Sequence, residues 1–276
     1  MTPVHPEFVP DASLSREEME RLQREVAERA TFADDFAFDS GAVGGIATDP
    51  DQSTLGDPES NGVDFEQSPE SPVVAGVDQA FSADGERAVS AVVATRGGEV
   101  IERTHAVEPT EVPYVPGLLS FREGGAILSA LAELSVDPDL AVLDGSGRIH
   151  FRQAGIATHV GVTLDVPAVG VAKSLLCGRP RESLDDHLPA GARVVVEADG
   201  SVDAPDGTVL GHAYQSRQYD NPERRHVNPL YVSPGHRVSA ETATDLVARL
   251  CAGYKLPEPT RLADSYADER KREVDG

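Results

Sequence analysis

Three β-rich runs follow one another without an intervening helix, and only then do strands and helices alternate. That order constrains the fold more than any other feature of the chain. The runs VVAGVDQAF (73–81), RAVSAVVATR (87–96) and EVIERTHAVE (99–108) carry many β-branched residues. Arg96-Gly97-Gly98-Glu99 reads as a hairpin turn, so the three runs form a meander. After VPYVPG, the segment LLSFREGGAILSALAEL (118–134) has helical periodicity, and DLAVLDGSG (139–147) is a short apolar strand closed by a Gly turn. GIATHVGVTLD (155–165) reads as a helix, PAVGVAKS (167–174) as a strand and SAETATDLVARLCAGY (239–254) as a helix. Further strands are expected at 194–197, 209–214 and 230–232. Strands first, then alternating elements, predict an α/β fold in which helices cover both faces of a mixed β-sheet.

Ahead of this unit, SREEMERLQREVAERA (15–30) predicts a helix, with Ser15 and Glu18 forming a capping box and Met19, Leu22 and Val26 an apolar stripe. A helix this short is expected to dock on the core. Residues 33–72 differ in kind: they hold ten acids and no Lys or Arg. Such a stretch buries too little apolar surface to offset its ordering entropy, so a flexible acidic insertion is expected; a short acidic recognition motif is the alternative. The chain thus divides into a docking N-terminal helix (1–31), an acidic insertion (32–72), a catalytic domain (73–265) and a charged C-terminal tail (266–276).

Composition bounds the setting. The formal net charge is −23, and only three lysines stand beside 21 arginines. Many acids, almost no Lys and few aromatics resemble the proteins of salt-loving archaea. The start lacks a basic and an apolar region of signal-peptide type, and no apolar run approaches the roughly 20 residues of a membrane span. A cytoplasmic protein without membrane contact is expected. Cys177 and Cys251 make no close-spaced pair, so neither a disulfide framework nor a cysteine zinc site is indicated.

Acidic residues interrupt apolar patterns at three places. Asp78 lies within a strand, on the face shared by Val74, Gly76 and Ala80, where an unpaired carboxylate is costly. Asp144 ends the run Leu140–Leu143 just before Gly-Ser-Gly, at the carboxyl end of a strand where α/β sheets commonly bind ligands. A turn-forming Asp reads equally well there. Glu123 falls on the apolar helix face of Leu119, Ile127, Leu131 and Leu134. Three inward carboxylates suggest a hard-cation site of the Mg²⁺ type, suited to phosphodiester hydrolysis. Lys173, one of three lysines, ends a strand beside the expected crevice. GVAKS is not a P-loop, and GSGRIH fails GxGxxG because His150 holds the last position. His150 and His159 lack metal-ligand spacing. His236, in YVSPGHRVS, is open to a base, a phosphate contact or an ordinary surface role.

The segments VAGVD (74–78), PYVPGLLSFRE (113–123), VLDGSGRIH (142–150), GIATHVGV (155–162), PAVGVAKS (167–174), YVSPGHRVS (231–239) and YKLPEPTRLAD (254–264), in this order, resemble the endonuclease V (deoxyinosine 3′-endonuclease) family. His150-Phe151-Arg152 departs from that family's usual His-Pro-Arg, and 33–72 is an insertion relative to it. The resemblance implies a ribonuclease H-like fold. It implies Mg²⁺, with Mn²⁺ as a substitute, on Asp78 and Asp144, with Glu123 completing the acidic site. Lys173 and His236 would assist attack or hold the scissile phosphate. Tyr114, stiffened by Pro113 and Pro116, would be a wedge filling the gap left by an extruded base. Backbone amides near Gly147 and Gly170 would help form a hypoxanthine pocket, and Arg152 would contact DNA. The implied activity is DNA repair by hydrolysis of the second phosphodiester bond 3′ to deoxyinosine in damaged DNA, by a monomer. Inosine-containing RNA as substrate, or an inactive nucleic-acid-binding relative, are the alternatives. Because a chain at −23 must still grip a polyanion, a locally basic face is expected, with Arg122, Arg152, Lys173, Arg217, Arg237 and Arg261 as candidates.

Overall fold

The computed structural model describes residues 1–44 and 71–276. Helix α1 (Arg16–Arg29) begins at the Ser15–Glu18 capping box, in which both reciprocal hydrogen bonds form. The meander follows as β1 (Val73–Phe81), β2 (Arg87–Arg96) and β3 (Glu99–Pro109). Gly97 and Gly98 both have positive φ (58° and 86°), the backbone a two-residue hairpin turn of matching twist requires. Next come α2 (Leu119–Ala132), β4 (Leu140–Asp144), α3 (Ile156–Leu164), β5 (Ala168–Ala172), the short β6 (Arg179–Pro180), β7 (Arg193–Glu197), β8 (Val209–Tyr214), β9 (Leu230–His236), α4 (Ala240–Leu250) and α5 (Glu258–Asp275).

All the strands among the described residues join one sheet, in the order β3-β2-β1-β4-β5-β9-β8-β7-β6. β1, β4 and β5 are parallel; the remaining pairs are antiparallel. Alternation along β1 and β4 sends side chains to opposite faces. Ala75, Val77, Ala141 and Leu143 pack with α2 and α3 on one face. Val74, Leu140 and Val142 pack with α4 on the other. The expected helices on both faces are therefore present.

Two expectations need revision. The first part of the presumed flexible stretch is packed: Val43 is buried beside α4, and Asp34 accepts hydrogen bonds from Ser239 N (2.7 Å) and Thr242 Oγ1 (2.7 Å) at the start of α4. Asp34 thus ties this segment to the start of α4, beside its N-cap Ser239. The insertion proper, 45–70, lies outside the described residues. The presumed tail 266–276 is instead the end of α5, an unbroken 18-residue helix. Its buried side is made of small residues, Pro259, Thr260, Ala263 and Ala267. They allow close approach to β1: a Cβ on Gly76 would lie 2.1 Å from the Pro259 carbonyl carbon, so glycine is obligatory there. No described helix is long and apolar enough to cross a membrane.

Candidate active site

Asp78 and Asp144 sit one position beyond the last register pair of β1 and β4, Val77 with Leu143. Because the two strands are parallel, their carboxylates emerge side by side at the carboxyl end of the sheet. Asp78 is only 6% exposed. Burial, the charge of Asp144 and a side-chain hydrogen bond with Asp264 hold its carboxyl far above the usual range, outweighing the amide of Gln79. Asp264, carried by α5, is thus a fourth acid of the cluster, and it was not singled out in the sequence. Glu123, on the first turns of α2 and 5% exposed, is pushed up to about 7 by burial, with Arg122 opposing and Asp144 adding.

Lys173 directly follows β5, and its Nζ donates to Asp144 Oδ2 at 2.5 Å. Burial works against its charge, but Asp144, Asp78 and Asp264 together raise its pKa. Two of the three lysines of the chain lie here, since Lys255 is close enough to Lys173 for the like charge to help lower its own pKa after burial.

The site suits a hard cation. Its donors are all carboxylate oxygens, and burial, with the charge of Asp144 added, raises both Asp78 and Glu123. Among the described residues no group of three or more His, Cys, Asp or Glu is arranged to hold a metal ion by itself. A cation here would have to draw further ligands from water or substrate oxygens, as hard divalent cations commonly do.

Next to the acids, the loop 110–118 projects Tyr114, which is 68% exposed. Its base is fixed at one atom: the Gly117 carbonyl accepts from Gln23 Nε2 (2.9 Å), His150 Nε2 (3.1 Å) and Arg152 Nη2 (3.2 Å). The amide of Arg152 donates to His150 Nδ1, which places the ring proton on Nε2. Burial, first, and then Arg152 lower the His150 pKa to about 3, so the ring is neutral. Beside this loop opens a pocket lined by Tyr114, Pro116, Ser146, His150, Ile156 and Leu176.

Several expected site residues fall elsewhere. His236 pairs with Ala168 at the start of β5, because β9 runs antiparallel. It therefore lies at the opposite end of the sheet from Asp144, bonded to Thr31 N and Asp165. Arg237 also faces that end, pairing with Asp35 and Asp165. Arg152 is spent inside the clamp, on Gln23, Gly117 and Glu20. Arg122 donates to the Val112 carbonyl and stacks on Phe81. Gly147 and Gly170 are buried back to back: a Cβ on Gly170 would stand 2.4 Å from Gly147 N, and that amide already donates to Ser233 Oγ. Their role is close packing of the turn after β4, and Ser146 is the residue of that turn which reaches the pocket.

Paired acids at the ends of adjacent parallel strands, braced by a lysine on a ribonuclease H-like sheet, define a phosphodiester hydrolase, a nuclease. The family model Endonuclease V matches residues 60–265, and the chain belongs to that family. It is 62% identical to the Endonuclease V of Haloarcula marismortui over 99% of this chain and 98% of that protein. The Halobacterium salinarum relative is 59% identical, over 97% of this chain and 98% of that one. The structure is similar to that of Streptomyces avermitilis Endonuclease V (28% identical, TM-score 0.73, covering 100% of both chains). A Ciona intestinalis Endonuclease V (22% identical, TM-score 0.67, 94% of this chain and 98% of that one) shares the fold.

Proposed function

We propose that this nuclease recognises deoxyinosine in DNA and hydrolyses the second phosphodiester bond on its 3′ side, with Mg²⁺ as cofactor and Mn²⁺ able to replace it. The observation that carries the reading is the juxtaposition of Asp78 and Asp144, with Lys173 against them and the Tyr114 loop alongside. The Ciona protein is known in complex with a 24mer DNA containing an inosine followed by a ribo-adenosine. Asp78 and Asp144 would hold the cation, with Glu123 and Asp264 in support. The cation supplies charge stabilisation on the phosphoryl oxygens. Lys173 places a positive charge beside the scissile phosphate. Tyr114 fills the space vacated by the extruded base, a step that costs least for a mispaired nucleotide. The adjoining pocket receives the base, with Ser146 and the loop backbone as polar partners and Ile156 and Leu176 as apolar walls.

The ribonucleotide in the Ciona complex favours a second reading, in which inosine-containing RNA is also cut. Both are tested by nicking assays on inosine-bearing DNA and RNA duplexes with Mg²⁺, Mn²⁺ or chelator, with fragment mapping. Cleavage of undamaged and inosine-bearing strands at equal rates, or cleavage that survives chelation, would overturn the proposal.

A further inference from the structure

The loop 215–229, between β8 and β9, opens at the same end of the sheet as the acidic centre. Tyr231 at the start of β9 pairs with Ala172, the residue before Lys173, and Ser216 Oγ donates to the Lys255 carbonyl at 2.7 Å. The loop is tied down from within. Buried Gln215 donates to the carbonyls of Arg217 and Val227 (both 2.7 Å), and Gln218 accepts from Val227 N (2.9 Å) while donating to Leu188 O (3.2 Å). What this frame presents is cationic. Arg217 and Arg225 lie over the Tyr219 ring, at 5.2 and 4.4 Å from its centroid, and Arg224 and Arg225 are exposed.

In a chain at −23, with Asp220 and Glu223 in the same loop, guanidinium groups should find carboxylates readily. Among the described residues none of these three arginines has a carboxylate within 4.0 Å, whereas Arg179, Arg181, Arg193 and Arg270 elsewhere all do. Stacking on Tyr219 holds two of the planar forks ready without neutralising them.

We propose that this loop is a second nucleic-acid contact, in which Arg217, Arg224 and Arg225 bind backbone phosphates of the strand running past the acidic centre and Tyr219 pre-orders the guanidinium groups. The contact reads phosphates rather than bases, so it adds affinity without selecting the lesion. This rests on the nuclease reading above, and the test separates the two. Binding of a labelled duplex is measured in chelator across a salt series, with and without inosine, for the wild type, Arg217→Ala/Arg225→Ala, Arg217→Lys/Arg225→Lys and the control Arg103→Ala on distant β3. Losing two phosphate contacts should flatten the slope of log affinity against log salt by about two. The loss should be equal for inosine-bearing and undamaged duplex, and any nicking defect should fall on KM. The lysine variant should keep most of the slope, and Arg103→Ala should change nothing. An unaltered slope in the double alanine variant overturns the loop contact, whatever the nicking assay gives. Absence of nicking by the wild type overturns the nuclease substrate reading instead, and leaves the loop to be judged on binding alone.

Discussion

Lys173 Nζ lies 2.5 Å from Asp144 Oδ2, so the residues closing two neighbouring parallel strands neutralise one another at the mouth of the acidic cluster. In the proposed mechanism this ammonium would turn from Asp144 to the scissile phosphate. Lys173→Ala should lower kcat by about 10²–10³-fold, the usual loss for one electrostatic contact to a developing charge. Single-turnover nicking measures this, and a thermal melt within a few degrees of wild type shows that the fold is retained.

The clamp on the Gly117 carbonyl yields a selectivity prediction. Gln23→Leu removes one of three donors and leaves the Arg152 Nε–H, now bonded to Gln23 Oε1 at 2.7 Å, without its partner. The cost to stability is about 1–3 kcal/mol. The loop carrying Tyr114 should loosen, and the ratio of nicking on inosine-bearing to undamaged DNA should fall while metal dependence stays the same. An unchanged ratio would show that α1 serves stability only.

Acid should weaken the protein through two buried histidines. His150 is held near 3 by burial and Arg152; His159, whose Nε2 donates to the Phe8 carbonyl, is held near 4 by burial. Both titrate near 6.5 in the unfolded chain, so between pH 6.5 and about 4 the unfolded state binds more protons. Stability is then fully present above 6.5 and is lost as pH falls. His159→Phe should flatten the dependence of the melting temperature on pH within that window. An identical slope in the variant would mean that other groups dominate.

Gly76→Ala tests the seat of α5. The added methyl would meet the Pro259 backbone, which has no rotamer to yield, so the cost should reach or exceed the upper end of the usual overpacking range of about 1–3 kcal/mol. Because α5 also carries Asp264, nicking should fall further than the melting temperature suggests. Asp264→Asn should reproduce the loss of activity without the loss of stability.

Much of this architecture could be read from the chain. The meander and the alternating elements gave the sheet with its two helical layers. Asp78 and Glu123, which interrupt apolar patterns, and Asp144, at a strand end, are brought near one another by the fold. Two misreadings have physical causes. His236 follows a strand just as Lys173 does, but β9 runs antiparallel to β5, and strand direction is not written in local pattern. Asp264 was passed over because α5 is polar almost throughout. Its signals are subtle: Ala263 and Ala267 four residues apart, Pro at the helix start, and the pairs Arg261–Glu258 and Arg270–Glu273 at helical spacing. Gly147 and Gly170 illustrate a different limit, since a glycine needed for close packing looks in sequence like one that frees an amide for a ligand.

The shallow seat of α5 separates two events that a melting curve would merge. A helix whose buried residues are the small Pro259, Thr260, Ala263 and Ala267 buries less apolar surface than the strands beneath it, which are buried over most of their length. Such an element opens more readily than the sheet. When it lifts, Asp264 leaves Asp78 and the site comes apart with the rest of the molecule intact. Heating should therefore silence the enzyme reversibly before it unfolds, and amide exchange along 258–275 should track the loss of activity, while exchange in β1 and β4 tracks the later collapse.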